Sequence, residues 1–179
     1  MDKRAGRWKG LLGLGILGAL AIGAAGLAAC RPKETELAFE TLVQDDLGYF
    51  GATYESMDLM IATSVAEAQQ IADALSPEDP GKRFEQIMDV NYGEYFVVVA
   101  YLGAKPHGGF VVTIEKIAQT GRNVDVAIST VEPSGGDAIF VHPIHAVKVR
   151  RADLSVKGNL TFQLWKGGEV VLTRAHFVR

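Results

Sequence analysis

Four histidines are the side chains of this 179-residue sequence best suited to acid–base or metal chemistry: His107, His142, His145 and His176. Hydrolysis by a covalent route needs a nucleophile beside a base that a third group orients. None of the histidines belongs to a His-Glu-x-x-His pattern, and the chain has no Gly-x-Ser-x-Gly nucleophile turn. We therefore predict a protein that is not an enzyme, and a hydrolase is the least favoured alternative.

His142 and His145 are the only close histidine pair and the only candidates for joint metal binding. Residues three apart on a regular strand point to opposite faces, so Pro143 would have to break the pleat for both rings to meet. Zinc also needs further ligands. We predict neither a metal nor a cofactor. A small-ligand or metal-binding protein that uses His107, or His142 with His145, is the alternative.

The only cysteine of the chain directly follows a long apolar run. Basic residues near the N-terminus precede the uncharged residues 10–29, which is the pattern of a secretory signal. The run ends in Leu27-Ala28-Ala29-Cys30, which resembles a bacterial lipobox. That resemblance implies that residues 1–29 are a signal peptide and that Cys30 becomes the lipidated N-terminus. An uncleaved transmembrane anchor and a soluble secreted form are the alternatives.

The lipid implied for Cys30 determines the predicted location. Two or more acyl chains hold a protein stably on a bilayer, whereas one chain holds it only marginally. The basic residues of the leader stay on the cytoplasmic side, so the chain after them lies outside. We predict an extracytoplasmic protein, lipid-anchored to a bacterial membrane, either at the outer face of the cell membrane or at the outer membrane.

The part of the chain after the leader is acidic. Residues 30–179 contain 14 Lys and Arg against 20 Asp and Glu, a formal charge of −6. Nucleic-acid binding depends on clustered basic residues, so we predict no nucleic-acid partner. Residues 30–36 are predicted to be the lipidated cysteine and a short polar tether. Because Cys30 has no second cysteine to pair with, the fold must depend on its hydrophobic core.

Residues 37–179 are predicted to form a single β-rich domain. Segments rich in β-branched and aromatic residues alternate with turns of Gly, Pro and Asp. The nearly unbroken apolar run Tyr95–Leu102 is predicted to be a central strand buried on both faces. The other predicted strands are 37–43, an extended piece from Tyr49 toward Tyr54, 59–62, 110–117, 123–130, 139–141, 146–150, 160–165 and 170–178, the last two joined by a hairpin turn at 166–169.

One helix has clear boundary signals. Ser64 and Glu67 form a capping box, in which each side chain binds the backbone N–H of the other, and Ser76-Pro77 ends the helix after about Leu75. Residues 84–88 are predicted to form a further helical turn. The predicted fold class is therefore α+β, a predominantly antiparallel β-sheet arranged as a sandwich or partial barrel, with one or two short helices.

A glycine- and proline-rich loop follows the central strand. It contains Gly103, Lys105, Pro106, His107, Gly108, Gly109 and Phe110. Adjacent glycines permit a positive φ or a close backbone approach at the start of the next strand. The loop has two interpretations: a β-bulge that sets the register of the sheet, or a recognition loop.

The segment 95–150 resembles the PrcB-like C-terminal domain, which is named for a lipoprotein component of a bacterial surface protease complex. The resemblance rests on an apolar strand followed by Gly-x-Lys-Pro-x-Gly-Gly-aromatic, met by residues 103–110, and on Pro143 with Val147. It implies a role beside an extracytoplasmic protein partner such as a protease. We predict a membrane-tethered, non-enzymatic binding or accessory module, and the resemblance implies that it is part of a surface protease complex.

Overall fold

A computed structural model describes residues 33–45, 56–76 and 84–179, which belong to one compact unit, Pro32–Arg179. The predicted lipobox with Cys30 lies outside the described residues, and so does the predicted extended piece from Tyr49 toward Tyr54. The predictions for those segments stay predictions.

The described residues contain nine strands, two helices and one 3-10 turn at Arg151–Asp153. In chain order they are β1 (Glu34–Glu36), β2 (Phe39–Asp45), β3 (Asp58–Ala62), α1 (Val65–Leu75), α2 (Glu85–Met88), β4 (Tyr95–Tyr101), β5 (Val111–Thr120), β6 (Asn123–Val131), β7 (Ile144–Arg150), β8 (Gly158–Lys166) and β9 (Glu169–Val178).

The strands form two sheets. One has the order β1-β5-β6-β8-β9 and the other β2-β7-β4-β3. Every neighbouring pair is antiparallel except β6 with β8, which run parallel. The predicted α+β class with predominantly antiparallel sheet is confirmed. The described strands form a sandwich rather than a closed barrel.

Two hydrophobic cores hold the layers together. The larger core lies between the sheets, where Phe96 meets Phe162 edge-to-face with ring centroids 6.1 Å apart. The smaller core lies on the other face of the four-stranded sheet, where α1 and α2 cover Val97 and Val99. Because β4 has a core on each of its faces, its side chains are apolar in succession. The predicted central strand is confirmed.

The start of α1 follows its sequence signal with one difference. Ser64 caps the helix by accepting the N–H of Glu67 at 3.3 Å. The Glu67 carboxylate reaches one residue further back than a capping box requires, to the N–H of Thr63 at 2.6 Å and to its hydroxyl at 2.8 Å. The helix ends at Leu75, as predicted.

Two segment predictions are corrected. Residues 34–36 were assigned to the polar tether, but they form β1, which pairs with Thr120–Ala118 of β5. This strand is polar because it lies at the exposed edge of the sheet. Residues 139–141 were predicted to be a strand, but Ile139 and Phe140 are exposed and unpaired in either sheet, and only Val141 forms an isolated bridge.

Strand direction gives the sandwich two distinct ends. At the upper end β4 and β6 finish and β5 and β7 begin. At the lower end β5, β7 and β9 finish and β1 begins. The sheets are tied together along β5, where Ile114 N–H donates to the ring of His145 on β7 at 2.7 Å.

Candidate functional site

The predicted recognition loop lies at the upper end and connects β4 of one sheet with β5 of the other. The connection from β6 to β7 crosses between the same sheets beside it. An antiparallel bridge joins the two connections: Lys105 N–H donates to Val141 O at 2.8 Å, and Val141 N–H donates to Lys105 O at 3.0 Å. We call residues 102–110 and 132–143 the paired loops.

Glycines allow the paired loops to approach closely. Gly108 N–H donates to Asp137 O at 3.3 Å. A Cβ atom at Gly136 would lie 2.5 Å from Gly108 O, a distance that no real Cβ adopts. Gly109 has a φ of 89°, in the region that L residues avoid. The glycines therefore serve the contact between two loops.

The interpretation of this loop as a β-bulge is not supported, because the β-bulge of β5 lies elsewhere. The irregularity of β5 falls between Ile114 and Lys116, well inside the strand. Gly108-Gly109 instead belongs to the connection between the sheets, before β5 begins at Val111.

The side chains of the paired loops form an apolar and aromatic surface. The rings of His107 and Phe110 lie 4.9 Å apart between centroids, and the Lys105 ammonium is 5.8 Å from the centroid of Phe110. Four of the eight exposed large hydrophobic side chains of the described residues lie in or beside these loops: Val111, Val131, Ile139 and Phe140.

The structure separates His142 from His145. Both are buried, and each has its own protein partner. His142 Nδ1 shares a hydrogen bond of 2.7 Å with the hydroxyl of Tyr101, whose pKa burial raises to about 12, so the phenol keeps its proton. His145 Nε2 lies 2.9 Å from Thr41 Oγ1. Within the described residues, no three His, Cys, Asp or Glu side chains are placed to hold a metal ion together.

His145 lies beside the hydroxyl of Thr41, as a general base lies beside a nucleophile. Its ring proton, however, is on the nitrogen that would have to accept the hydroxyl proton. Ile114 N–H donates to Nδ1, so the ring proton is on Nε2 and is donated to Thr41. A general base would have to accept the hydroxyl proton at Nε2 while a carboxylate accepts from Nδ1. We therefore assign His145 to joining the sheets.

Protonation of the buried histidines is expected to weaken the fold. Burial lowers the pKa of both His142 and His145 below the ordinary imidazole value. The unfolded chain therefore takes up protons first as the pH falls. We expect their contribution to stability to be complete above the unfolded imidazole pKa of about 6.5, to decline as the pH falls through that value, and to go on declining until the folded histidines are protonated too.

Urea unfolding at a series of pH values measures this loss. In the His145→Asn variant, the amide oxygen takes the position of Nδ1 and can still accept from Ile114, and one titrating group is gone, so the pH dependence should flatten. A slope equal to that of the wild type would contradict the assignment of His145 as a buried neutral ring.

The sequence did not indicate a second feature, a cleft at the lower end. It has a volume of about 910 Å³ and lies between the start of α1, the ends of β7 and β9, and the residues before β4 and β8. Four basic side chains line it, against two acidic ones, Glu67 and Glu94. We call it the basic cleft, and its basic residues are Arg150, Arg151, Lys157 and Arg179.

Arg151 is the most unusual of these residues because its guanidinium is buried. Only 7% of the residue is exposed. Nε donates to Tyr95 O at 2.8 Å, Nη2 to Thr63 O at 2.6 Å and Nη1 to Arg179 O at 3.3 Å. No Asp or Glu side chain of the described residues pairs with it within 4.0 Å. Burial lowers the pKa of Arg151, the nearby charge of Glu67 opposes this shift, and the nearby Arg179 adds to it to a smaller extent.

The acidic side of the cleft is formed by Glu67. Burial alone would raise the pKa of Glu67, but the two hydrogen bonds that Thr63 donates, together with the electrostatic effect of the nearby His176, lower it below the ordinary value. His176 Nε2 lies 3.5 Å from Glu67 Oε2, yet this buried nitrogen makes no hydrogen bond. Burial and the charge of Glu67 raise the pKa of Tyr92, whose hydroxyl donates to Ile87 O at 2.9 Å.

No helix in the described parts of the chain is both long and apolar enough to cross a bilayer. Among protein families, curated proteins and solved structures, none matches this chain.

Proposed function

We propose that this protein is an exported lipoprotein, tethered to a bacterial membrane through Cys30, that binds an extracytoplasmic protein partner such as a protease. It acts as an accessory module and carries out no reaction itself. The tether is supported by the sequence Leu27-Ala28-Ala29-Cys30 after a basic and apolar leader.

One observation carries the binding role: exposed apolar side chains concentrate at the paired loops. Ile139 and Phe140 are adjacent and each is more than half exposed. Burying the exposed half of such a side chain contributes about 1 kcal/mol each, which favours a protein partner over solvent. The resemblance of residues 95–150 to the PrcB-like domain supports a protease or its complex as the class of partner.

The test is crosslinking and affinity capture of the full-length tagged protein from its native membranes. We expect the wild type to recover one partner reproducibly and the Ile139→Ser/Phe140→Ser variant to lose it by about tenfold or more, since two anchor side chains are removed.

The matched control is Val65→Ser/Phe177→Ser, which changes an aliphatic and an aromatic side chain of similar exposure at the start of α1 and the end of β9, away from the paired loops. It should retain the partner. Equal recovery by the wild type and the loop variant, or equal loss in both variants, would rule out the paired loops as the binding surface.

A small-ligand role is the second candidate, and the basic cleft favours it. His142 and His145 are hydrogen-bonded to other groups of the protein. A small ligand would therefore bind in the basic cleft and not at these two histidines.

A further inference from the structure

Lys105 of the paired loops differs from the other half-buried lysines of the described residues. Three other lysines are half-buried, and each has an acidic side chain within 4.0 Å. These pairs are Lys116 with Glu34, Lys148 with Glu40 and Lys166 with Glu132. Lys105 is half-buried too, but no carboxylate of the described residues lies within that distance of its ammonium. Its charge is therefore not balanced at short range.

The position of Lys105 is fixed by the paired loops. Backbone hydrogen bonds in both directions join Lys105 to Val141. The ammonium lies 5.8 Å from the centroid of the Phe110 ring, which also contacts the ring of His107. An aromatic face attracts a cation only weakly, whereas the three N–H groups of an ammonium are best matched by a carboxylate.

Lys148 shows the same arrangement with its acid in place. Its ammonium lies 5.4 Å from the centroid of Tyr95 and 3.0 Å from the carboxylate of Glu40. Lys105 has the equivalent ring in Phe110 and lacks the acid. The group that would complete the arrangement at Lys105 is therefore a carboxylate from outside the described residues.

We propose that the partner protein supplies this carboxylate. An Asp or Glu side chain of the partner binds the Lys105 ammonium, while apolar side chains of the same partner segment cover Ile139 and Phe140. This inference rests on the proposed function, since it names the chemistry of the partner at the same paired loops. A charge pair that apolar side chains shield from water is stronger than one on an open surface.

The charge of the domain makes Lys105 important for choosing the partner. Residues 30–179 have a formal charge of −6, so most of the surface repels an acidic segment. A local cation beside exposed apolar side chains attracts such a segment to the paired loops. An acidic and apolar segment thus fits this surface better than a basic one.

A carbodiimide tests the contact directly, because it joins a lysine amine to a carboxylate that touches it and adds no spacer. The reagent activates the carboxylate, the amine displaces the reagent as a urea, and an amide bond remains. Native membranes with the full-length tagged protein are treated, and the crosslinked peptides are identified by mass spectrometry. We expect an amide between Lys105 and an acidic residue of the partner. Amides of Lys148 with Glu40 and of Lys116 with Glu34 are the internal positive controls.

Three variants separate charge from packing when the partner is captured without the reagent. Lys105→Met keeps an apolar side chain of similar length and loses the charge, so recovery of the partner should fall by about tenfold or more. Lys105→Arg keeps the charge but offers no amine, so recovery should stay within about threefold while the amide is lost. The control is Lys148→Met, which changes a lysine that also lies over an aromatic ring but outside the paired loops. Its recovery should stay within about twofold.

An amide to a partner residue, with loss of the partner in Lys105→Met and retention in Lys105→Arg, supports the proposal. An amide that joins Lys105 only to this chain or to a second copy of it would overturn the proposal. Equal recovery by the wild type and Lys105→Met would also overturn it, as would equal losses in Lys105→Met and Lys105→Arg.

Failure of the proposed function gives a different result. If the wild type recovers no partner, both proposals are wrong. If Ile139→Ser/Phe140→Ser loses the partner and Lys105→Met keeps it, the paired loops remain the binding surface and only the acidic contact is wrong.

Discussion

Replacing Arg151 with methionine should lower the free energy of unfolding by about 2–4 kcal/mol. The guanidinium joins the segment after β3, the start of β4 and the residue after β9 through backbone oxygens of Thr63, Tyr95 and Arg179. Methionine has similar length and no charge, which removes the cost of burying a cation. It also leaves the three acceptor oxygens without their donor. Because these oxygens stay in place, the loss of their hydrogen bonds costs more free energy than the removal of the buried charge recovers.

Urea unfolding followed by tryptophan fluorescence measures the effect. Arg150→Met is the matched control, because Arg150 is the exposed neighbour of Arg151, and its effect should stay within about 0.5 kcal/mol. A loss below about 1 kcal/mol for Arg151→Met would show that water replaces the guanidinium easily and that the buried charge contributes little to the fold.

Replacing Cys30 with alanine should abolish lipid attachment completely. The chain has no other cysteine, so no alternative thiol can take the acyl group. The fold should be retained, since both cores are formed by later residues. Labelling with a fatty-acid analogue, followed by mass spectrometry of the membrane fraction, measures the modification.

Pro32→Ala is the control for that experiment, as it alters the chain two residues further on and keeps the thiol. It should be labelled like the wild type. Lipid found on the Cys30→Ala protein would remove the lipoprotein assignment, and so would the absence of lipid on the wild type.

The parts of the fold that could be predicted are those with local signals. The run Tyr95–Leu102 is apolar at every position because β4 faces a core on both sides. The hairpin between β8 and β9 is indicated by Gly167-Gly168, and both glycines have positive φ, at 62° and 87°. The start of α1 is encoded by Ser64 within a single turn of chain.

The parts that could not be predicted depend on residues distant in the chain. The basic cleft brings Thr63, Arg151 and Arg179 together, and nothing in the sequence near any of them indicates the others. The partners of His145 are 104 residues away at Thr41 and 31 residues away at Ile114. The strand β1 was missed because Glu34-Thr35-Glu36 has no apolar alternation, and an exposed edge strand does not require one.

The distance between the two ends of the sandwich limits where a partner can bind. The ten residues of β5 run from the paired loops to the end where β1 begins, and at about 3.3 Å per residue they measure about 33 Å. If the domain is tethered through Cys30, as proposed, and stands on its lower end, Ile139 and Phe140 lie at roughly that height above the lipid surface. Its partner would then need a binding surface a full domain away from the bilayer, and a protein lying flat on the membrane would be out of reach.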